Sequence, residues 1–290
     1  MTKIKTVLTY LTTHDTADGG YLSQKEERDE QGNVCLLIQY NESEEVELKN
    51  ESTFDSDSRL LHYKQYTQSE QPDQHIEYEY SAAGKLAKEI IHYRDGSVSI
   101  KSYDRDEAEN SYVATMVDED GDLESKEYRR FDGEGRVLEE KVFDGDELET
   151  HRQTSFDDAG RPITLIHYNG REDLEWEFTY TYEFDEEGRL VKATVVDDED
   201  RTIREEFVDY DEKGNRASLN VQDHEQGIAL LERWEYNEAD QVTSHQRLSP
   251  TGDLLSEIRY TYREDGLLVE EENRTPRGMS LRTYEYELFS

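Results

Sequence analysis

The chain has 290 residues, 71 of them acidic and 33 basic, for a net charge of −38. So negative a surface repels phosphate backbones and anionic lipid, which excludes direct nucleic-acid and membrane partners and favours a basic protein. Apolar residues are only 33 %, a disorder-like figure, yet 20 tyrosines and 8 phenylalanines argue for a folded chain with a thin apolar layer.

Residues 1–27 are the least regular stretch and read as an N-terminal cap. They contain no apolar core of signal-peptide length, and nowhere does the chain approach the roughly 18 apolar residues of a membrane helix. The expectation is a cytoplasmic protein. Cys35 sits in the run Val34-Cys35-Leu36-Leu37-Ile38 as the single cysteine. It reads as a small buried hydrophobe, with its thiol pKa raised.

From Arg28 onwards one pattern recurs: an aromatic, an Asp or other turn residue, two more residues, Gly, any residue, then an aliphatic. Copies begin at Arg28, Phe54, Tyr80, Tyr103, Phe131, Phe156, Phe184, Tyr210, Tyr236 and Tyr262. The steps are 26, 26, 23, 28, 25, 28, 26, 26 and 26 residues, a spacing that unrelated turns would not hold. The Asp carboxylate folds onto the amide two residues on, and Gly supplies positive φ at the close of the turn. A second turn signal lies midway, as at Asp95-Gly96, Asp120-Gly121, Asp144-Gly145, Asn169-Gly170 and Pro250-Thr251-Gly252.

Two turns per unit leave room for two strands of about 7–10 residues. The strand ahead of each main turn alternates: Trp176, Phe178, Tyr180, Tyr182 and Phe184 occupy every second position. Period two puts these aromatics on one face, where they should be largely shielded, and the charges on the other. The reading is all-β: tandem β-hairpin repeats of about 26 residues over 28–290, with eighteen to twenty antiparallel strands in one long meander. A flat sheet of about twenty strands at ~4.8 Å spacing would be about 95 Å wide. Sheets that wide curl, so an open barrel, spiral or partial shell is expected.

The copies FDGEGRV at Phe131, FDEEGRL at Phe184 and YDEKGNR at Tyr210 carry a resemblance to the YD repeat of the RHS family of bacterial polymorphic toxins. It extends over roughly residues 28–290. The resemblance implies strands of a large sheet rolling into a shell around a toxin domain. The chain also resembles MORN-like repeat proteins of bacterial toxin–antitoxin loci, which implies a short, repetitive cytosolic protein.

Chemistry-bearing motifs are absent. His14, His62, His75, His92, His151, His167, His224 and His245 form no HxH, HExxH or HxxxH pair and read as surface or sheet-edge residues. No G-x-S-x-G elbow, GxGxxG loop or P-loop occurs. The acidic turns Asp118–Asp122 and Asp197–Asp200 lack the glycine position and flanking helices of an EF-hand. No enzymatic activity, cofactor or metal is therefore expected. The functional expectation is an acidic immunity or antitoxin-like protein that covers a basic toxin. Glu175, Glu177 and Glu183 on the outward strand face, with Asp197, Asp198 and Asp200 in the next turn, are the candidate partner-binding residues. The alternative is a structural component of an RHS-type shell or scaffold in a toxin-delivery system.

Overall fold

The computed structural model describes residues 3–13, 20–67 and 69–289. Every regular element among them is a strand, 22 in all. In chain order they are β1 (Ile4–Thr13), β2 (Tyr21–Arg28), β3 (Val34–Tyr40), β4 (Val46–Phe54), β5 (Leu60–Tyr66), β6 (Gln74–Tyr80), β7 (Leu86–Tyr93), β8 (Val98–Asp106), β9 (Ser111–Val117), β10 (Leu123–Phe131) and β11 (Val137–Asp144). There follow β12 (Glu147–Phe156), β13 (Pro162–Asn169), β14 (Leu174–Phe184), β15 (Leu190–Val196), β16 (Thr202–Tyr210), β17 (Arg216–Asp223), β18 (Ile228–Tyr236), β19 (Val242–Leu248), β20 (Leu254–Tyr262), β21 (Leu268–Thr275) and β22 (Gly278–Leu288). The stretch read as an irregular cap contains β1 and β2. These two account for the excess over twenty. His14 lies outside the described residues.

Two compact units divide the chain: Glu27–Ile38 with Val46–Thr179, and Met1–Glu26 with Gln39–Glu45 and Tyr180–Ser290. In the first, each strand from β4 to β13 pairs antiparallel with the next, and β13 with β14. In the second, β15 to β22 do the same. There β1 pairs with β2 on one side and with β22 on the other, from Ile4 opposite Leu288 to Thr13 opposite Ser280. The expected open edges are thus corrected: the first and last strands, β1 and β22, pair with one another. The physical reason is the cost of an edge. An unpaired edge strand exposes a row of amides and carbonyls that invite another chain, and pairing the first strand with the last removes both edges.

The turns follow the expected chemistry and extend it. At Asp132 the Oδ1 atom accepts the amides of Glu134 (3.0 Å) and Arg136 (2.9 Å), while Oδ2 takes Arg136 Nε at 2.5 Å. The Gly135 amide donates to the Asp132 carbonyl, and Gly135 has φ +84°. That is a left-handed conformation glycine adopts without a Cβ clash. The Asn169-Gly170 turn departs from the expected reason for its glycine. Asn169 plays the Asp role, accepting the amides of Arg171 and Asp173, and Glu172 holds the positive φ of 60°. Gly170 serves close approach: a Cβ there would lie 2.2 Å from the Leu148 carbonyl oxygen.

The aromatic stripe is less shielded than its alternation implies. Trp176, Phe178, Tyr180 and Tyr182 are half-buried, and Phe184 is 40 % exposed. Most strand residues are half-buried, and among the described residues the buried apolar ones are Ile91, Ala114, Val208 and Leu248. Rings cover one another along the sheet surface. Trp176 stacks on His167 and on Phe178, both at 4.7 Å between ring centres.

Candidate protein-binding surface

Adjacent repeats are joined by contacts that recur with the turn. The Arg following the glycine position lies over the aromatic of the next repeat: Arg59 over Tyr80 at 5.3 Å, Arg136 over Phe156 at 5.0 Å and Arg189 over Tyr210 at 4.8 Å. Tyr80 and Tyr210 also reach back, as does Tyr262: they donate to the carbonyls of Leu60 (2.8 Å), Leu190 (2.9 Å) and Val242 (2.9 Å). The conserved geometry of the main turns thus serves the fold. The acids around them that are not consumed in this way form the candidate surface.

Of the six predicted residues, three meet in one turn. Asp197 is committed to the backbone. Its Oδ1 accepts the amides of Glu199 (3.0 Å) and Arg201 (2.9 Å), and Oδ2 binds Arg201 Nε at 2.7 Å. The Arg201 side chain, then the two amides, hold its carboxyl below the usual carboxylate range. Asp198 and Asp200 are exposed, and Asp200 occupies the left-handed position at φ 61°. Glu183, exposed, belongs to the same unit. Glu175 and Glu177 belong to the other. Glu175 is exposed and approaches His167 Nε2 at 3.3 Å, while Glu177 is half-buried opposite Ile166.

The aromatic face also carries charge that the alternation did not reveal. Tyr103 donates to Glu89, Tyr112 to Glu127 (3.3 Å) and Tyr284 to Glu271 (3.3 Å). Burial, then the nearby Glu89, pushes the Tyr78 phenol up to about 12; burial and Glu271 do the same for Tyr284. These carboxylates are satisfied within the sheet. Cys35 is half-buried rather than fully buried, its thiol pKa raised by burial and then by Asp29.

The histidines of β5–β7 are not isolated. His62 faces Glu77 across β5 and β6, and His75 faces His92 across β6 and β7. His75 Nε2 lies 3.4 Å from His62 Nδ1, and His92 Nε2 lies 3.1 Å from Glu77 Oε1. Sequence spacing hid this grouping because its members come from three strands, and only the pairing register assembles them.

No family model matches the chain, and no curated protein does. Among solved structures, those described as TcdB2-TccC3 and TcdB2-TccC3-TEV are similar over 90 % of this chain at 14 % identity, with TM-scores of 0.37 and 0.36. This chain spans 16 % of their length. A porin-like protein from Bacteroides uniformis ATCC 8492 is similar over 99 % of both chains at 11 % identity, with a TM-score of 0.29. Nothing about function follows from likenesses at this level.

Proposed function

We propose that this chain is a non-enzymatic, cytoplasmic protein-binding repeat protein of the immunity or antitoxin kind, which neutralises a basic toxin by covering it with acidic turns. One observation carries the reading. With 71 acids against 33 bases, 38 carboxylates have no basic residue anywhere in the chain to neutralise them. Internal pairing cannot remove that field, and a field of one sign steers partners of the other. The exposed Asp198 and Asp200, held on a turn already fixed by Asp197, are the model for how the charge is presented. The alternative reading, a segment of an RHS-type shell, needs free edge strands to join its neighbours. The pairing of β1 with β22 weighs against it.

The test is capture on the immobilised chain from the native cell at low salt, followed by elution with rising salt. The expected product is a basic protein whose toxic activity the chain abolishes. Its release should follow screening, which shortens electrostatic reach to about 8 Å at physiological ionic strength. Recovery of no basic protein contradicts the proposal.

A further inference from the structure

Across β5, β6 and β7 the register gathers His62, His75, Glu77 and His92 on one sheet face. One donor atom from each of His62, His75 and Glu77 falls within 4.8 Å of the other two. The separation of His62 Nδ1 and His75 Nε2, 3.4 Å, is long for a hydrogen bond between ring nitrogens. It matches the about 3.3 Å edge of a tetrahedron built on zinc–nitrogen bonds of about 2.0–2.1 Å. We propose that His62, His75 and Glu77 bind one divalent cation of the zinc class, with the fourth position left to water.

The donor set decides the class of ion. Two imidazoles with one carboxylate suit zinc, cobalt(II) or nickel(II), whereas calcium and magnesium take oxygen ligands. His75 is half-buried, and as a ligand it serves as the neutral imidazole. Lys64 shares this face, opposite His75 on one side, and opposite Glu51 on the other. Glu51 in turn pairs with Lys49 at 2.5 Å. His92 is a positioning residue: its Nε2 atom, 3.1 Å from Glu77 Oε1, aims the carboxylate, and its ring stacks on His75 at 5.3 Å. Such supporting groups are a regular part of metal sites. The bound ion would tie β5 to β6, with β7 held through His92.

The experiment is calorimetric titration of the full chain with Zn²⁺ or Co²⁺, in excess Ca²⁺ to occupy carboxylate-only sites. One saturable site per chain is expected, with zinc raising the melting temperature. His62→Gln, His75→Gln and Glu77→Gln should each weaken it by more than about 100-fold, and His92→Gln by about 10–100-fold, the usual cost of a lost supporting group. Circular dichroism identifies any variant that fails to fold. Since all four positions are tested separately, one misfolded variant leaves the others to decide. Uptake that does not saturate near one ion per chain, or folded variants that bind like the parent, overturns the proposal.

Discussion

The turns Asp185–Arg189 and Asp197–Arg201 lie at the two ends of β15 and use the same hydrogen bonds. In each, the Asp Oδ1 accepts amides two and four residues on, and Oδ2 binds the Arg Nε at 2.7 Å. They differ in where the arginine goes. Arg189 lies over Tyr210 of the next repeat, its side chain 35 % exposed. Over Arg201 no ring lies among the described residues, and its side chain is 66 % exposed. One local device therefore does two jobs. At one end of the hairpin it couples repeats; at the other it holds a rigid turn whose remaining acids face water.

The largest effect should come from the ring that exists only at the first turn. Tyr210→Ala removes a half-buried ring, and denaturant unfolding should show a loss of about 2–3 kcal/mol, below the ~3–5 kcal/mol of a fully buried aromatic. Tyr210→Phe keeps the ring and loses only the bond to the Leu190 carbonyl, so about 1 kcal/mol is expected. Equal losses for the two variants would mean that the hydroxyl, and not the stack, joins the repeats. Next in size, Arg189→Ala should lower the melting temperature more than Arg201→Ala. The reverse order would erase the distinction between the turns.

Acid should affect both turns alike. In Asp185 burial pushes the carboxyl up and is outweighed by the Arg189 amide and side chain; in Asp197 the Arg201 side chain leads. Both folded values are depressed. Their stabilisation is present above the unfolded pKa of about 3.9 and is lost as pH falls through the folded values. Asp197→Asn should retain the turn, because Asn41, Asn169 and Asn237 already accept the equivalent amides. Its acid unfolding below about pH 4 should be shallower than the parent's. An unchanged acid limb would show that the charge on Asp197 contributes nothing.

Much of this was legible in the sequence because it is local. The 26-residue spacing, the Asp that caps its own turn and the period-two strands need only neighbours along the chain. What escaped depends on register. The pairing of β1 with β22 joins segments some 270 residues apart, and no local pattern signals it. The Arg–aromatic stacks span about one repeat, so the position after the turn glycine read as open to any residue. Glu89 and Glu271 sit among aromatics only once β7 and β21 are aligned with their neighbours. For the candidate surface, the acidic turn at Asp197 was visible, but not that Asp197 is spent on the backbone while Asp198 and Asp200 are presented.

The most direct test of the central claim is the rate at which the captured basic partner associates with the Asp198→Lys/Asp200→Lys double variant. Steering by a presented acidic turn predicts slower association, little change in dissociation, and a melting temperature close to the parent's. Unchanged association at low salt would contradict the claim and leave the acidity of these turns as a matter of solubility alone.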